Sequence, residues 1–343
     1  MVRRILWALL VLAPIVLLGR YVFDLGDTQL FILSALALIP LAWVIGEATE
    51  HAAEHTGPGV GGFLNASFGN APELIIALLA VADNLPGVVR GSLTGSVVSN
   101  ILLVLGAAMI AGGDGRVDTR SLRWQLCAVF GAVALFLIPS IPAWSSGSSD
   151  RHTLYLLSLP VSVVLLCAYV IITIRNLRIH RAAERDEAVA GSWSLMRSLV
   201  VLSAATLMTA FVSEILVHSL GEFGRAVGLN QFFIAVVIVA IVGNAAEHGG
   251  AVVIAHRGNT TLATEIAITS AMQVAVFVTP AVCLLSWIVG RGLPLSFRVI
   301  EILTMAGAAA FATLVILDGR SRRWEGFVLV GVYGLAVVAY YLV

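Results

Sequence analysis

The sequence predicts an all-α integral membrane protein with about eleven transmembrane helices, one leading helix followed by two inverted-topology five-helix repeats. Three observations predict this class: the composition, a series of apolar segments and an internal repeat. Of the 343 residues, 59% are hydrophobic and only 12% are charged, whereas soluble domains have about 45–50% apolar and about 25% charged residues. With zero net charge, this composition excludes a water-soluble enzyme, a disordered chain and a nucleic-acid-binding protein.

The apolar segments are long enough to cross a bilayer, whose hydrocarbon core requires about 20 residues of helix. We place them roughly at residues 5–23, 28–50, 60–82, 88–112, 122–142, 152–174, 197–219, 228–256, 261–288, 296–317 and 325–343. The first segment is predicted to be a retained helix and not a signal peptide, because Leu18-Gly19-Arg20 is a poor cleavage site.

The basic residues predict the orientation of these spans. All of them are arginine, and most fall in segments that face the cytoplasm if the N-terminus is inside. Cytoplasmic loops carry such an excess of positive charge. The sequence therefore predicts a cytoplasmic N-terminus and a C-terminus outside. The arginine-only composition and the lack of a targeting extension favour a prokaryotic plasma membrane.

The spans divide the chain into four parts. Residues 1–27 are the leading transmembrane helix, 28–176 the first five-helix repeat, 177–196 a cytoplasmic linker and 197–343 the second five-helix repeat. The linker is short and of mixed charge, so we expect no folded domain there.

The internal repeat appears in two matched motifs. Gly69-Asn70-Ala71-Pro72-Glu73 recurs 174 residues later as Gly243-Asn244-Ala245-Ala246-Glu247, and the segments Gly95–Asn100 and Thr269–Val274 match at the same offset. Because each repeat has an odd number of spans, the second copy enters the membrane from the opposite side. Many secondary transporters have this arrangement, with the substrate site between the two copies. The repeat therefore predicts a transporter.

The repeated motif places a carboxylate in the middle of a span in each half. A charged residue at the bilayer centre costs about 2.5–3.5 kcal/mol on insertion scales, so Glu73 and Glu247 indicate function. Each has an asparagine three residues earlier on the same helix face, Asn70 and Asn244. Hard divalent cations prefer oxygen ligands. Further neutral oxygens come from Ser96, Ser99, Asn100, Ser270 and Gln273. The sequence predicts a cation site, with protonated structural carboxyls as the alternative.

A second acidic pair, Glu50 and Glu214, lies near the end of the opening span of each repeat. We interpret these residues as a gate or proton relay, and hydration at a span end is an equal alternative. Glu265 and Glu301 lie near predicted span ends, where hydration is cheap, and are assigned no function. His51, His55 and His248 are interpreted as interfacial or packing residues.

These motifs resemble the calcium/proton antiporter (CAX) family of the cation/calcium exchanger superfamily. The resemblance rests on Gly46–Glu50, Leu64–Ile75, Gly95–Gly106, Gly243–His248 and Ser270–Pro280. It implies that Glu73 and Glu247 bind calcium and protons alternately, and that Asn70, Asn244, Ser99 and Gln273 line the same site. It also implies that Glu50 and Glu214 lie on two long gating helices that shift against the other eight.

The function implied by the resemblance is exchange of Ca²⁺ for H⁺ by alternating access, with export of cytosolic Ca²⁺ driven by the proton gradient. Calcium ions and protons are then the substrates, and the protein is embedded in the lipid bilayer. Neither a cofactor nor a nucleic-acid partner is expected. Homo-oligomerisation is left open. The family often has a strongly acidic helix between its halves, whereas this linker is short and arginine-rich.

Two alternatives remain at this stage. The first is a sodium/calcium exchanger of the same fold, although Val274 stands where a second-repeat acidic residue would match Asn100. The second is a proton-coupled antiporter for Na⁺, K⁺ or Mn²⁺, because ligand type separates hard cations poorly. An enzyme is disfavoured, since neither a zinc-protease motif nor a nucleophile elbow occurs.

Overall fold

The computed structural model describes residues 2–149, 151–180, 193–290 and 292–343, and within these ranges it leaves undescribed the side chains of residues 2, 57–63, 65, 66 and 175–180. Most of the predicted linker, residues 181–192, lies outside the described residues. The described chain is almost entirely helical, as the composition predicts.

The helices of the first half come in eight segments. They are α1 (Val2–Leu9), α2 (Leu12–Tyr21), α3 (Asp27–Gly69), α4 (Ala71–Ala82), α5 (Pro86–Val98), α6 (Leu105–Gly112), α7 (Thr119–Ser146) and α8 (His152–His180). A π-helical segment, Ser99–Val104, joins α5 to α6.

The second half contains eight further helical segments. They are α9 (Leu195–Val227), α10 (Gln231–Phe233), α11 (Ala240–Gly243), α12 (Ala245–His256), α13 (Thr260–Gln273), α14 (Thr279–Leu285), α15 (Val299–Val315) and α16 (Arg323–Tyr341). Two π-helical segments, Ile234–Val239 and Val274–Val278, join α10 to α11 and α13 to α14.

Local sequence signals set several helix ends. The Asp118 carboxylate accepts the backbone N–H groups of Arg120 and Ser121 at 3.0 and 3.2 Å, and so caps the start of α7. Capping side chains of this kind satisfy N–H groups that have no partner within the helix. Gly147 and Gly228 end α7 and α9 at φ +66° and +71°, a left-handed conformation that favours glycine.

Eight helices in the described ranges are long and apolar enough to cross a membrane, or nine if the bent pair Gln231–Gly243 and Ala245–His256 counts as one span. This test does not confirm the predicted count of eleven. The two remaining predicted spans coincide with shorter apolar helices, Ala71–Ala82 and Val299–Val315. The spans that contain Glu73 and Glu247 are broken at Asn70 and Asn244, so neither is a single long helix. Val299–Val315 is short because residues 292–298 before it are not helical.

The two long helices α3 and α9 pack against each other in the most extensive helix contact among the described residues. Two short helices pack on this pair, each on the long helix of the other half. α4 of the first half lies against α9, and α12 of the second half lies against α3. Each carboxylate-bearing helix therefore rests on the long helix of the other half.

A short two-stranded ladder ties the loop after α6 to the loop before α16. Gly115–Arg116 pairs antiparallel with Arg320–Ser321. The carboxylate of Asp318, exposed beside this ladder, accepts the N–H of Arg320 and pairs with Arg322. These contacts hold the pKa of Asp318 below its usual range.

Between α14 and α15 the chain runs through an extended segment, residues 293–297, whose side chains are all buried. Extended backbone buried in a membrane protein must find partners for its polar groups within the protein. Three serines supply them: one on α7, one on α8 and one directly after α14. The N–H groups of Leu293, Leu295 and Phe297 donate to the hydroxyls of Ser286, Ser158 and Ser140 at 2.8, 2.9 and 2.9 Å.

We expect Ser158→Ala to destabilise the protein by about 1–3 kcal/mol, because it leaves the buried N–H of Leu295 without an acceptor. The thermal unfolding midpoint of the detergent-solubilised protein measures this loss. Ser145→Ala is the matched control, since Ser145 is exposed on α7 and bonds only its own helix in the described contacts. Equal midpoints for the two variants would contradict the assigned role.

Candidate functional site

Each half of the chain carries a helix break at the repeated asparagine. Asn70 separates α3 from α4 with φ −102° and ψ 20°, and Asn244 separates α11 from α12 with φ −93° and ψ 7°. The second break bends the chain by 57°. Glu73 and Glu247 consequently lie in the first turn of their short helices, where the helix dipole favours negative charge.

The two breaks bring the glutamates together between the halves. Glu73 is only 8% exposed, and its Oε1 lies 3.4 Å from the position that a Cβ on Gly243 would occupy. Its carboxylate interacts electrostatically with that of Glu247. Glu247 is half-buried. One oxygen of each carboxylate, Oε2, is buried with no hydrogen-bond partner among the described residues, so both oxygens are available to a cation or a proton.

A lattice of hydrogen bonds around this pair crosses between the halves. Asn244 donates through Nδ2 to Ser96 Oγ at 2.8 Å, and Asn100 donates through Nδ2 to Asn244 Oδ1 at 3.2 Å and to Ser270 Oγ at 3.0 Å. Ser270 also interacts with the Glu247 carboxyl. These contacts fix the amide and hydroxyl groups beside the carboxylates. The Oδ1 atom of Asn100 is buried without a partner in the described part of the chain.

Asn70 and Gln273 form the matching contact on the other side of the pair. Asn70 Nδ2 donates to Gln273 Oε1 at 3.0 Å. Tyr169 of α8 interacts with Gln273 as well, and its ring stacks on Phe277 at 4.9 Å. The place of Tyr169 beside the site could not be predicted from the sequence, because this residue lies in a uniformly apolar span and outside the repeated motifs.

The predicted site residues therefore fall into three groups. The structure brings together Glu73, Glu247, Asn70, Asn244, Asn100, Ser96, Ser270 and Gln273. Ser99 is buried beside them, and its hydroxyl donates to the Ser96 carbonyl at 3.4 Å. Glu50 and Glu214 lie exposed on α3 and α9, and neither takes part in the described hydrogen bonds of the lattice.

The donor set of this site is oxygen-rich. No group of three or more His, Cys, Asp or Glu side chains that could together hold a metal ion occurs within the described ranges. Two carboxylates surrounded by amides and hydroxyls suit a hard cation better than a transition metal, which prefers nitrogen and sulfur. The site can hold one divalent cation or two protons at equal charge.

The expectation for Glu301 was wrong. Glu301 was expected to be hydrated at a span end, yet it is only 1% exposed. Its neighbourhood includes Arg90, also buried at 4% exposure. An arginine and a glutamate in otherwise apolar spans were the available signal, but they are far apart in sequence and on separate helices.

His51 and His55, interpreted from the sequence as interfacial residues, both contact Trp193. The ring of His51 stacks on Trp193 at 4.9 Å, and His55 Nε2 lies 2.5 Å from the Trp193 carbonyl oxygen. Arg197 lies 4.6 Å from the centre of the same indole ring. These residues join α3 to the start of α9.

Two broken helices that each present a carboxylate to the other half define a cation antiporter fold, and comparison with known proteins agrees. The family model described as sodium/calcium exchanger protein matches residues 27–178 and 197–342. The chain belongs to this family.

Similar proteins narrow the family to one branch. The chain is 34% identical over 361 residues to a Ca²⁺/H⁺ antiporter of Aphanothece halophytica, covering 99% of this chain and 96% of that protein. It is 35% identical over 331 residues to the Ca²⁺/H⁺ antiporter ChaA of Bacillus subtilis (strain 168), covering 91% and 92%. The chain is thus a member of the calcium/proton antiporter branch of the cation/calcium exchangers.

Solved structures show the same architecture. Native YfkE matches with a TM-score of 0.85 at 32% identity, covering 98% of this chain and all of that one. The H⁺/Ca²⁺ exchanger CAX matches with a TM-score of 0.76 at 16% identity, covering 99% and 92%. At that identity the second likeness concerns the fold alone.

Proposed function

We propose that this protein exchanges Ca²⁺ for H⁺ across a membrane by alternating access. The observation that carries the proposal is the pair of carboxylates at matching helix breaks, the buried Glu73 and the half-buried Glu247. Each has one buried oxygen with no hydrogen-bond partner among the described residues. The antiporter names of relatives more than 30% identical over most of the chain support it.

Charge neutralisation explains why the exchange is coupled. The two carboxylates together carry two negative charges, which one Ca²⁺ or two protons neutralise. An empty site with both charges is costly to enclose in a low-dielectric protein interior. The transition between the inward-open and outward-open states is therefore favourable only when the site holds calcium or protons. Each transition moves either one Ca²⁺ or two protons across the membrane.

The lattice around the carboxylates gives the other residues their roles. Asn70, Asn244, Asn100, Ser96, Ser99, Ser270 and Gln273 are proposed to offer neutral oxygens to the ion or to orient the groups that do. The long helices α3 and α9, which carry Glu50 and Glu214, are proposed to move against the remaining helices. Glu50 and Glu214, which are exposed on this pair, are proposed to act as a gate or to pass protons between the site and water.

We propose a prokaryotic plasma membrane with the N-terminus in the cytoplasm, so that the proton gradient expels cytosolic Ca²⁺. Support comes from arginines that are exposed at one end of the helices around the two-stranded ladder, as expected of a cytoplasmic face. They are Arg116, Arg120, Arg123, Arg320 and Arg323. We expect calcium and protons to be substrates and expect neither a cofactor nor an enzymatic reaction.

Reconstitution into liposomes with an acidic interior and an internal pH dye tests the function. Addition of external Ca²⁺ is expected to collapse the pH gradient, whereas Na⁺, K⁺ and Mn²⁺, added in parallel, give the ion preference. Calcium uptake driven by a sodium gradient, with the pH gradient unaffected by calcium, would instead assign the protein to sodium-coupled exchange. Protein-free liposomes measure the leak.

A further inference from the structure

A buried ionic cluster lies away from the two central carboxylates. It consists of Arg90 and Thr94 on α5 and of Arg298 and Glu301 at the start of α15, and we call it the Arg90–Glu301 cluster. Arg90, Thr94 and Glu301 are all buried. Charges taken out of water in this way are costly unless they are paired and hydrogen-bonded, so an ionic cluster in this position requires an explanation.

The contacts within the cluster link four parts of the chain. Glu301 Oε2 accepts the backbone N–H of Arg298 at 2.6 Å. α15 packs on α5, which places the carboxyl within electrostatic range of Arg90 and beside the Thr94 hydroxyl. Glu301 Oε1 and Thr94 Oγ1 have no hydrogen-bond partner among the described residues. Arg90 donates to Ser149 Oγ at 3.1 Å and to the Pro294 carbonyl at 3.5 Å. The cluster thus ties the first turns of α5 to α15, to the extended segment and to the loop that follows α7.

A neighbouring face of α5, which carries Gly91 and Gly95, packs closely on the second half. A Cβ at Gly91 would lie 3.1 Å from the Phe232 ring, and one at Gly95 would lie 1.9 Å from the Val236 carbonyl oxygen. Arg298 covers the other end of this contact, with its guanidinium 4.5 Å from the centre of the Phe232 ring. The helix therefore has little freedom to slide on its neighbour.

Two residues further along the chain belong to the proposed cation site: Ser96 on α5 and Asn100 in the π-helical segment that continues it. Ser96 follows Arg90 by six residues, or about 9 Å along a helix, and accepts the hydrogen bond of Asn244. Asn100 follows one turn later and bonds both Asn244 and Ser270. A small displacement of α5 along its axis would break these contacts.

We propose that Arg90 and Glu301 are positioning residues that set the axial position of α5, and through it the calcium affinity of the site. This inference rests on the proposed function, since it assumes that Ser96 and Asn100 serve a calcium site. Neither Arg90 nor Glu301 touches the ion; each acts by holding the helix that supplies the oxygens.

Two neutralising variants, Glu301→Gln and Arg90→Gln, test the proposal. In each, the Ca²⁺ dissociation constant, measured by titration calorimetry on purified protein, is expected to rise about fivefold, as for the loss of one ordinary hydrogen bond. The KM for Ca²⁺ in liposomes is expected to rise in parallel, with the maximal rate per folded molecule nearly unchanged. Arg90→Lys keeps the charge and is expected to retain most of the affinity.

The control is the exposed ion pair Arg225–Glu222 at the end of α9, whose Arg225→Gln variant should bind calcium as the wild type does. An unchanged dissociation constant in folded Arg90→Gln and Glu301→Gln, with only thermal stability reduced, would overturn the proposal. If Glu301→Gln fails to fold, Thr94→Val and Arg90→Gln decide the question. A wild type that binds calcium but moves no protons refutes the proposed function while leaving the binding comparison valid.

Discussion

Glu247→Gln is expected to abolish calcium-dependent proton movement, with a loss of about a hundredfold or more in kcat/KM. The amide keeps the shape of the side chain but removes one of the two negative charges that neutralise Ca²⁺, and it binds no proton in exchange. Glu73→Gln is expected to give the same result, because the two carboxylates interact and act as one pair. The rate of pH-gradient collapse in liposomes measures both variants.

Glu265→Gln is the matched control for this pair. Glu265 lies half-buried on α13, the helix that also supplies Ser270, but it is not part of the described hydrogen-bonded lattice. We expect near wild-type exchange from this variant. If Glu247→Gln kept more than about a tenth of the wild-type rate, the assignment of the central carboxylates would be wrong.

Gly95→Ala is the second change with a large expected effect. The added methyl group would lie 1.9 Å from a backbone oxygen, that of Val236, so one of the two helices must move. Overpacking of this kind costs about 1–3 kcal/mol in general. Since Ser96 is the next residue, we also expect calcium affinity and exchange to fall sharply. Thermal unfolding and calcium titration of the same preparation separate the two effects.

Gly87→Ala provides the comparison on the same helix. Nothing lies within 4 Å of the Cβ that it would add, and alanine favours the helix more than glycine does. We therefore expect unchanged or slightly higher stability and normal exchange. Equal unfolding midpoints and equal calcium affinities for Gly87→Ala and Gly95→Ala would show that α5 does not depend on its close contact with Val236.

The central carboxylates could be predicted from sequence because the repeat marks them twice. A single glutamate in an apolar span is ambiguous, whereas Glu73 and Glu247 share an asparagine at the same spacing and lie in corresponding spans. The cost of a charge in the membrane then turns the pattern into a functional prediction. The structure adds their mutual approach and the unpartnered oxygen on each.

Contacts between distant helices could not be predicted in this way. The bond from Asn70 to Gln273 and the burial of Glu301 beside Arg90 depend on how helices pack, and helical periodicity gives no distance between separate helices. The hydration expected for Glu301 was wrong for a local reason as well. It lies in the first turn of α15, where hydration is the usual expectation, yet the buried extended segment precedes that turn and excludes water.

That extended segment bears on how the protein retains an ion gradient while it works. Protons cross proteins along relays of groups that can pass a proton on, including ordered water. Ser140, Ser158 and Ser286 each accept an N–H from the segment and donate to a carbonyl of their own helix. Each hydroxyl lies between a peptide N–H and a peptide carbonyl. Because a peptide N–H does not release its proton, we expect no proton relay to continue through these serines. We therefore expect the segment to act as insulation against proton leak, so that protons cross the membrane only in exchange for calcium.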